Sequence, residues 1–105
     1  MFFSKNKKYE SIDLNSAKEM IETSKALILD VRTSGEYRSG KIEGAINIPL
    51  NELVARAPKE LKELDKEIIV YCLSGSRSKL GSKILSKLGY TSVYDFGPIS
   101  KWDGK

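Results

Sequence analysis

The sequence predicts an α/β fold in which a mostly parallel central sheet is flanked by helices on both faces. Short apolar runs alternate along the chain with amphipathic segments whose apolar residues recur at helical spacing. The run at residues 26–31 is apolar almost throughout, which is typical of a strand covered on both faces of a parallel sheet. Because strands and helices alternate, the connections are crossovers that leave neighbouring strands parallel.

The first half of the chain predicts three strands and three helical stretches. Asp13 or Asn15 provides the N-cap of the first helix, because its side-chain oxygen accepts hydrogen bonds from amides of the first turn. A polar, glycine-containing loop follows the second strand and includes one helical turn near Glu36. Pro49 stops the third strand and Pro58 starts the last helix. The predicted strands are residues 9–12, 26–31 and 41–49, and the predicted helices are residues 16–23, 51–57 and 58–64.

The second half of the chain predicts two strands and two helices. Leu80, Ile84 and Leu88 recur at helical spacing, and Gly89 is typical of a residue that ends a helix. Gly97 and Pro98 predict a turn into a truncated helix. The predicted strands are residues 68–71 and 92–96, and the predicted helices are residues 78–88 and 99–102.

Length and charge predict one domain at residues 9–105 with a short N-terminal arm at residues 1–8. Lys and Arg number 18 against 14 Asp and Glu, which leaves a net charge of +4 spread along the chain. Scattered lysines are no footprint of nucleic-acid binding, and no apolar run approaches the roughly 20 residues that span a bilayer. We therefore expect a cytoplasmic monomer that binds neither nucleic acid nor a membrane.

The chain contains one cysteine and no histidine. This composition excludes an internal disulfide, the usual zinc ligand sets and a Cys–His nucleophile pair. We expect no metal and no cofactor.

Cys72, the single cysteine, lies where a predicted strand ends and a small-residue loop leads into a helix. Backbone N–H groups at a helix N-terminus attract anions, and a loop that curls around a sulfur directs several of them at it. Gly75 allows such a tight bend, and Arg77 adds a permanent cation. These features favour the thiolate, so we expect Cys72 to be a nucleophile. The alternative is that Cys72 is a small buried hydrophobe at the end of a core strand.

Three segments resemble the signatures of rhodanese-like domains, and together they cover nearly the whole chain from about Ile12 to Trp102. They are Asp30-Val31-Arg32-Thr33 with its continuation to Gly44-Ala45-Ile46-Asn47-Ile48-Pro49, the loop Cys72-Leu73-Ser74-Gly75-Ser76-Arg77-Ser78, and the tail from Gly89-Tyr90 to Gly97-Pro98-Ile99-Ser100-Lys101-Trp102.

The resemblance implies a sulfurtransferase of the thiosulfate:cyanide type. Cys72 would take the outer sulfur of a small anionic donor such as thiosulfate, and a persulfide on Cys72 would pass it to cyanide, a thiol or a thioredoxin-like acceptor. Arg77 would bind or steer the donor. The loop residues implied to bind the donor and stabilise the persulfide are Leu73, Ser74, Gly75, Ser76, Arg77 and Ser78.

A further group of residues is expected to brace the loop from behind. Asp30 lies near the end of the second predicted strand, and Arg32 and Glu36 follow that strand. We expect an ion pair between Arg32 and Glu36 because a buried carboxylate must be paired. Ser78 either bonds the sulfur or serves as the N-cap of the following helix.

Three departures from the family pattern are present, and two competing functions remain open. The family often has histidine where this chain has Lys41, at a position that is usually structural. Members that use thiosulfate often have arginine where this chain has Leu73, and the tail often has two glycines where this chain has Gly97 and Pro98. A non-catalytic rhodanese-like binding module is one competitor. A cysteine phosphatase or arsenate reductase is the other, but those loops resemble Cys-x5-Arg, whereas four residues separate Cys72 from Arg77.

Overall fold

The computed structural model describes residues 9–103, so the arm predicted at residues 1–8 lies outside the described residues. Within this range, five strands form one parallel sheet in the order β1-β5-β4-β2-β3, where the strands are β1 Tyr9–Ser11, β2 Leu27–Asp30, β3 Ile46–Asn47, β4 Ile68–Cys72 and β5 Val93–Pro98. The helices are α1 Leu14–Ser24, α2 Ser34–Ser39, α3 Leu53–Glu60 and α4 Ser76–Lys87, with short 3₁₀ turns at Leu50–Glu52 and Ile99–Lys101.

Side chains of the central strands alternate between two apolar layers, as the pleat of a strand requires. Ile28, Ile69 and Tyr71 face the layer that contains α1, whereas Leu29 and Val70 face the layer of α3 and α4. The prediction of a parallel sheet covered by helices on both faces is confirmed. Cys72 belongs to the second layer, so its side chain lies on the α3 and α4 side.

Asp13 is the N-cap of α1, as one of the two predicted candidates, and accepts a hydrogen bond from the Ser16 amide at 2.9 Å. The helical turn predicted near Glu36 is α2. It starts with a capping box in which Thr33 and Glu36 exchange side-chain and backbone hydrogen bonds.

Two elements of the first half were predicted wrongly. The third strand spans only Ile46–Asn47, because Gly44 turns the chain at φ +88°. The Ile42 amide donates to the side-chain hydroxyl of Tyr71 instead of to the backbone of a neighbouring strand. The helix predicted from Pro58 is not separate, since α3 runs through Pro58 and ends at Glu60. The hydroxyl of Tyr90, a residue far along the chain, donates hydrogen bonds to the carbonyls of Ala57 and Leu61 at this end of α3.

Strand β5, in the second half, also differs from prediction. β5 continues through Gly97 and Pro98, which were predicted as a turn. Its register against β4 shifts by one residue, so that Val70 pairs with Asp95 and Tyr71 pairs with Gly97. This bulge places Pro98 opposite Cys72.

None of the helices in the described range is long and apolar enough to cross a bilayer.

Candidate active site

The candidate site lies at the carboxyl edge of the sheet, where ligands of open parallel sheets bind. Cys72 is the last residue of β4. The polar segment after β2 begins at the same edge of the sheet, because β2 and β4 are paired in parallel. The loop of Leu73, Ser74 and Gly75 then leads directly into α4. The topology therefore brings the Cys72 loop together with the segment that the sequence predicts to brace it.

Two backbone amides donate hydrogen bonds to the sulfur of Cys72. The Gly75 amide lies 3.0 Å from Sγ and the Ser78 amide lies 3.2 Å from it. Both amides belong to the start of α4, where N–H groups have no partner within the helix and the positive end of the helix dipole lies. A cysteine that only fills core space needs no such donors, so these two amides distinguish Cys72 from an ordinary core cysteine.

Cys72 itself is fully buried, with 0% of its surface exposed. A molecule from solvent therefore reaches Sγ only when neighbouring side chains move aside. The surrounding residues thus shield the cysteine from solvent.

Gly75 makes the tight loop possible. Its φ is +108°, a conformation that side-chain-bearing residues rarely adopt, and it precedes the first turn of α4. A Cβ atom built there would lie 3.6 Å from Cδ of Pro98, which the β5 bulge brings against the loop. Pro98 therefore forms one wall of the site.

The loop serines are arranged differently from the prediction. α4 begins at Ser76, two residues before the predicted start, so Ser78 is not an N-cap. The Ser78 hydroxyl donates to the Gly75 carbonyl at 3.0 Å and holds the loop closed, while the Ser78 amide bonds the sulfur. Ser74 and Ser76 are exposed.

Arg77 is held by Glu36 rather than left free. Arg77 Nη1 lies 2.8 Å from Glu36 Oε1, and Nη2 lies 3.1 Å from Oε2, a two-point ion pair between α4 and α2. The hydrogen bond from Arg77, followed by that from the Thr33 amide, lowers the pKa of Glu36 to about 2. The pKa of Arg77 is raised by Glu36 and, through charge, by Cys72. Arg77 therefore lies within electrostatic reach of the sulfur.

The predicted ion pair between Arg32 and Glu36 is wrong. Arg32 pairs with Asp30: Nη2 lies 2.7 Å from Oδ2, Nε lies 3.0 Å from Oδ1, and the Arg32 amide lies 2.8 Å from the same Oδ1. Both residues are buried. Arg32 Nη2 also donates to the Gly40 carbonyl at 2.6 Å, so this pair fixes both ends of the segment that contains Glu36.

Two residues that the sequence analysis did not single out complete this support. The Asn47 side-chain amide donates to the carbonyls of Asp30 and Arg32, at 2.9 and 3.0 Å. Tyr71 is fully buried, accepts the Ile42 amide, and lies under the guanidinium of Arg32 at 5.5 Å. Burial raises the pKa of Tyr71, so its hydroxyl stays protonated. Two signals in the sequence could have indicated these residues. Tyr71 precedes the cysteine at a strand end, and Asn47 precedes the Ile-Pro pair that stops a strand.

Leu73, directly after Cys72, is half exposed at the surface of the loop. Among the described residues, no cluster of three or more His, Cys, Asp or Glu side chains is placed to hold a metal ion. The polar groups that converge on the site are therefore amides, one guanidinium and one paired carboxylate. This set can stabilise a small anion on sulfur.

Comparisons with known proteins agree with this geometry. A family profile described as a rhodanese-like domain matches residues 13–105. The chain is 38% identical over 96 residues to the putative sulfur carrier protein YrkF of Bacillus subtilis, covering 90% of this chain and 51% of that protein. It is 38% identical over 71 residues to the thiosulfate sulfurtransferase PspE of Escherichia coli, covering 68% of each.

A solved structure of a human single-domain sulfurtransferase superposes with a TM-score of 0.74 at 26% identity, covering 82% of this chain and 87% of that one. The chain spans about half the length, 51%, of the Bacillus relative.

Proposed function

The chain belongs to the rhodanese-like domain family, and we propose that it is a sulfurtransferase that carries a sulfane sulfur as a persulfide on Cys72. Relatives named as sulfurtransferases support sulfur transfer at the level of the family. The observation that carries the proposal is the pair of amide donors, from Gly75 and Ser78, aimed at the Cys72 sulfur.

In the first step, the Cys72 thiolate attacks the outer sulfur of the donor. With thiosulfate, the S–S bond of the donor breaks, its electron pair leaves with sulfite, and Cys72 retains the sulfur as a persulfide anion. The negative charge moves one atom outward during this step. Amides at the helix N-terminus stabilise that charge because they are fixed before the reaction begins.

In the second step, an acceptor attacks the outer sulfur of the persulfide. The bond between the two sulfurs breaks, its electron pair returns to Cys72 as thiolate, and the acceptor leaves with the sulfur. Cyanide would leave as thiocyanate, and a thiol would leave as a persulfide. Cys72 is then ready for the next donor.

Arg77 would steer the anionic donor into the loop. Its guanidinium is a permanent cation in the first turn of α4, and its pKa is raised mainly by the hydrogen bond to Glu36 and further by the charge of Cys72. Glu36 neutralises part of this charge, so donor capture depends on the balance between the two groups. The donor is thiosulfate or another persulfide-type molecule, and the apolar Leu73 favours the less charged of these.

Intact mass measurement tests the proposal directly. The purified protein is treated with thiosulfate without reductant, alongside Cys72→Ala and Cys72→Ser. We expect a gain of one sulfur atom that cyanide reverses and that both variants lack. A gain with a persulfide or mercaptopyruvate donor, but not with thiosulfate, would retain the mechanism and change the donor.

No gain with any donor would contradict the proposal and favour a non-catalytic binding module. A phosphatase or arsenate reductase assay then separates the remaining enzyme class. The spacing from Cys72 to Arg77 opposes that class, since a loop one residue shorter misplaces a tetrahedral anion for in-line attack.

A further inference from the structure

The outward face of α4 carries only positive and neutral side chains. Successive residues of a helix are about 100° apart, which places the exposed residues of α4 in one arc. The buried residues Ser78, Gly81, Ser82 and Leu85 occupy the opposite arc, and Gly81 lies close to Val31 and the side chains of Leu50 and Leu53. The exposed arc, here called the α4 face, consists of Ser76, Lys79, Leu80, Lys83 and Lys87.

Helix α4 has no acidic residue of its own to balance the α4 face. The helix sequence SRSKLGSKILSK contains four cations and no carboxylate. Glu36 pairs with Arg77, but in the described part of the chain no salt bridge involves Lys79, Lys83 or Lys87. Lys79 lies in the first turn, where a cation opposes the helix dipole. Lys87 lies in the last turn, where a cation is favourable, so the helix dipole accounts for Lys87 but not for Lys79.

Two exposed leucines accompany these lysines: Leu73 in the Cys72 loop, and Leu80 about one turn into α4. Leu73 is 50% exposed and Leu80 is 48% exposed. Leu73 follows Cys72 directly, and Leu80 is about 6 Å along the helix axis from Ser76, the first residue of α4. Half-exposed leucines among lysines at the mouth of a reactive site form a surface with both apolar and cationic contacts.

We propose that the α4 face and Leu73 form the docking surface for a protein segment that carries the acceptor thiol flanked by acidic and apolar residues. This inference rests on the proposed function. The acceptor thiol attacks the outer sulfur, the S–S bond breaks with its electron pair returning to Cys72, and the segment leaves as a persulfide that keeps the thiol proton. The acidic residues lie against Lys79 and Lys83, and the apolar residue lies against Leu80.

Burial of Cys72 explains why docking would matter. A small thiol enters the mouth of the loop by diffusion, but a cysteine on a protein reaches the outer sulfur only if the segment is aligned with the loop. Complementary charge supplies this alignment and raises the rate of encounter. The α4 face contains no aromatic side chain, whereas surfaces that bind single-stranded nucleic acid use aromatic residues for stacking.

Single-turnover sulfur transfer from the persulfidated protein tests the inference. The probes are two synthetic peptides with one cysteine and one leucine, flanked by glutamates in one and by glutamines in the other. We expect the glutamate peptide to accept sulfur roughly tenfold faster at about 0.01 M salt. This preference disappears at about 1 M salt, where the Debye length falls to about 3 Å.

The variant Lys79→Gln/Lys83→Gln should lose the preference for the glutamate peptide. Its transfer to 2-mercaptoethanol, an uncharged small thiol, should change less than about twofold, because neither lysine contacts the sulfur. Lys62→Gln is the matched control: Lys62 is exposed and lies near Leu27 and Ile68, the first residues of β2 and β4, at the opposite edge of the sheet. We expect Lys62→Gln to retain the full preference.

Several outcomes separate this inference from the proposed function. Equal rates for the two peptides, with normal transfer to 2-mercaptoethanol, would overturn the docking surface and leave the sulfurtransferase intact. Binding of phosphatidylglycerol vesicles or of a single-stranded oligonucleotide through Lys79 and Lys83, without any peptide preference, would also overturn it. No persulfide and no transfer to any thiol would contradict the proposed function itself.

Discussion

Glu36 and Arg77 lie 41 positions apart in the sequence and form a two-point ion pair, with contacts of 2.8 and 3.1 Å, beside the Cys72 loop. The pair joins α2 to α4 and so connects the segment after β2 with the loop after β4. It also sets how much positive charge an incoming anion meets. The two residues are therefore expected to act in opposite directions on donor capture.

A double-mutant cycle tests this opposition. Arg77→Ala leaves the Glu36 carboxylate unpaired, so kcat/KM for thiosulfate should fall by roughly tenfold or more. Glu36→Gln frees the Arg77 charge and should raise kcat/KM by about two- to fivefold, the scale of a partly exposed ion pair. The double variant should lie between the wild type and Arg77→Ala. If Glu36→Gln lowers kcat/KM as much as Arg77→Ala, Glu36 positions Arg77 rather than competing for it.

The ionisation of Glu36 gives a pH prediction with a definite sign. The folded protein lowers the pKa of Glu36 from 4.5 to about 2, so its contribution to stability is complete above pH 4.5 and is lost as the pH falls through about 2. A carbon-13 NMR titration of the Glu36 carboxyl should therefore show no protonation between neutral pH and about 3.5. In Arg77→Ala the midpoint should rise, because the largest cause is removed. An unchanged midpoint would assign the shift to the Thr33 cap.

The carboxylate pairings show what the sequence could and could not predict. An ion pair between Arg32 and Glu36 was reasonable from their spacing along the chain, but Asp30 lies closer in space because the chain bends immediately after β2. Glu36 instead caps α2 and reaches α4. Strands and helices follow from local apolar patterns, whereas partners of buried charges depend on the whole fold.

The same limit explains the errors in the elements. Gly97 and Pro98 have the composition of a turn, yet β4 provides a partner that extends β5 through a bulge. Pro58 indicated the start of a helix, yet α3 begins earlier, at Leu53, and continues through Pro58. The position of Cys72 at the end of a strand and before a helix was predicted correctly, because it needed only local pattern and the loop composition. Which backbone amides donate to its sulfur, those of Gly75 and Ser78, depends on the path of the folded loop and does not follow from local pattern.

The buried pair of Asp30 and Arg32 should be essential for stability. Asp30→Asn leaves the Arg32 charge buried without its partner, which typically costs about 3–5 kcal/mol. Urea denaturation of Asp30→Asn and of Asp30→Asn/Arg32→Met measures this cost, and the double variant should recover part of it. Glu60→Gln, which breaks an exposed ion pair with Arg56, is the control and should have a far smaller effect. A loss below about 1 kcal/mol in Asp30→Asn would contradict the bracing role.

Gly75 should be required for activity more than for folding. Gly75→Ala places a side chain at φ +108°, so about 1–2 kcal/mol of strain acts directly on the amide that bonds Sγ, whereas its Cβ would make only an ordinary 3.6 Å contact with Pro98. We expect a large fall in kcat with a folded protein by circular dichroism. Gly35→Ala is the matched control, since Gly35 lies in α2 with nothing within 4 Å of an added Cβ. Equal effects on kcat in the two variants would remove the Gly75 amide from the mechanism.

Leu73 should determine how well thiosulfate competes with less charged donors. It follows Cys72 at the loop surface and is half exposed, so a longer cationic side chain fits there without disturbing the core. Leu73→Arg adds a charge that is not neutralised by Glu36, and we expect kcat/KM for thiosulfate to rise by roughly tenfold at low salt. Leu73→Met is the uncharged control and should leave the donor preference unchanged. A gain for Leu73→Arg with an uncharged persulfide donor equal to the gain with thiosulfate would show that Leu73 limits access to Cys72 rather than selecting donors by charge.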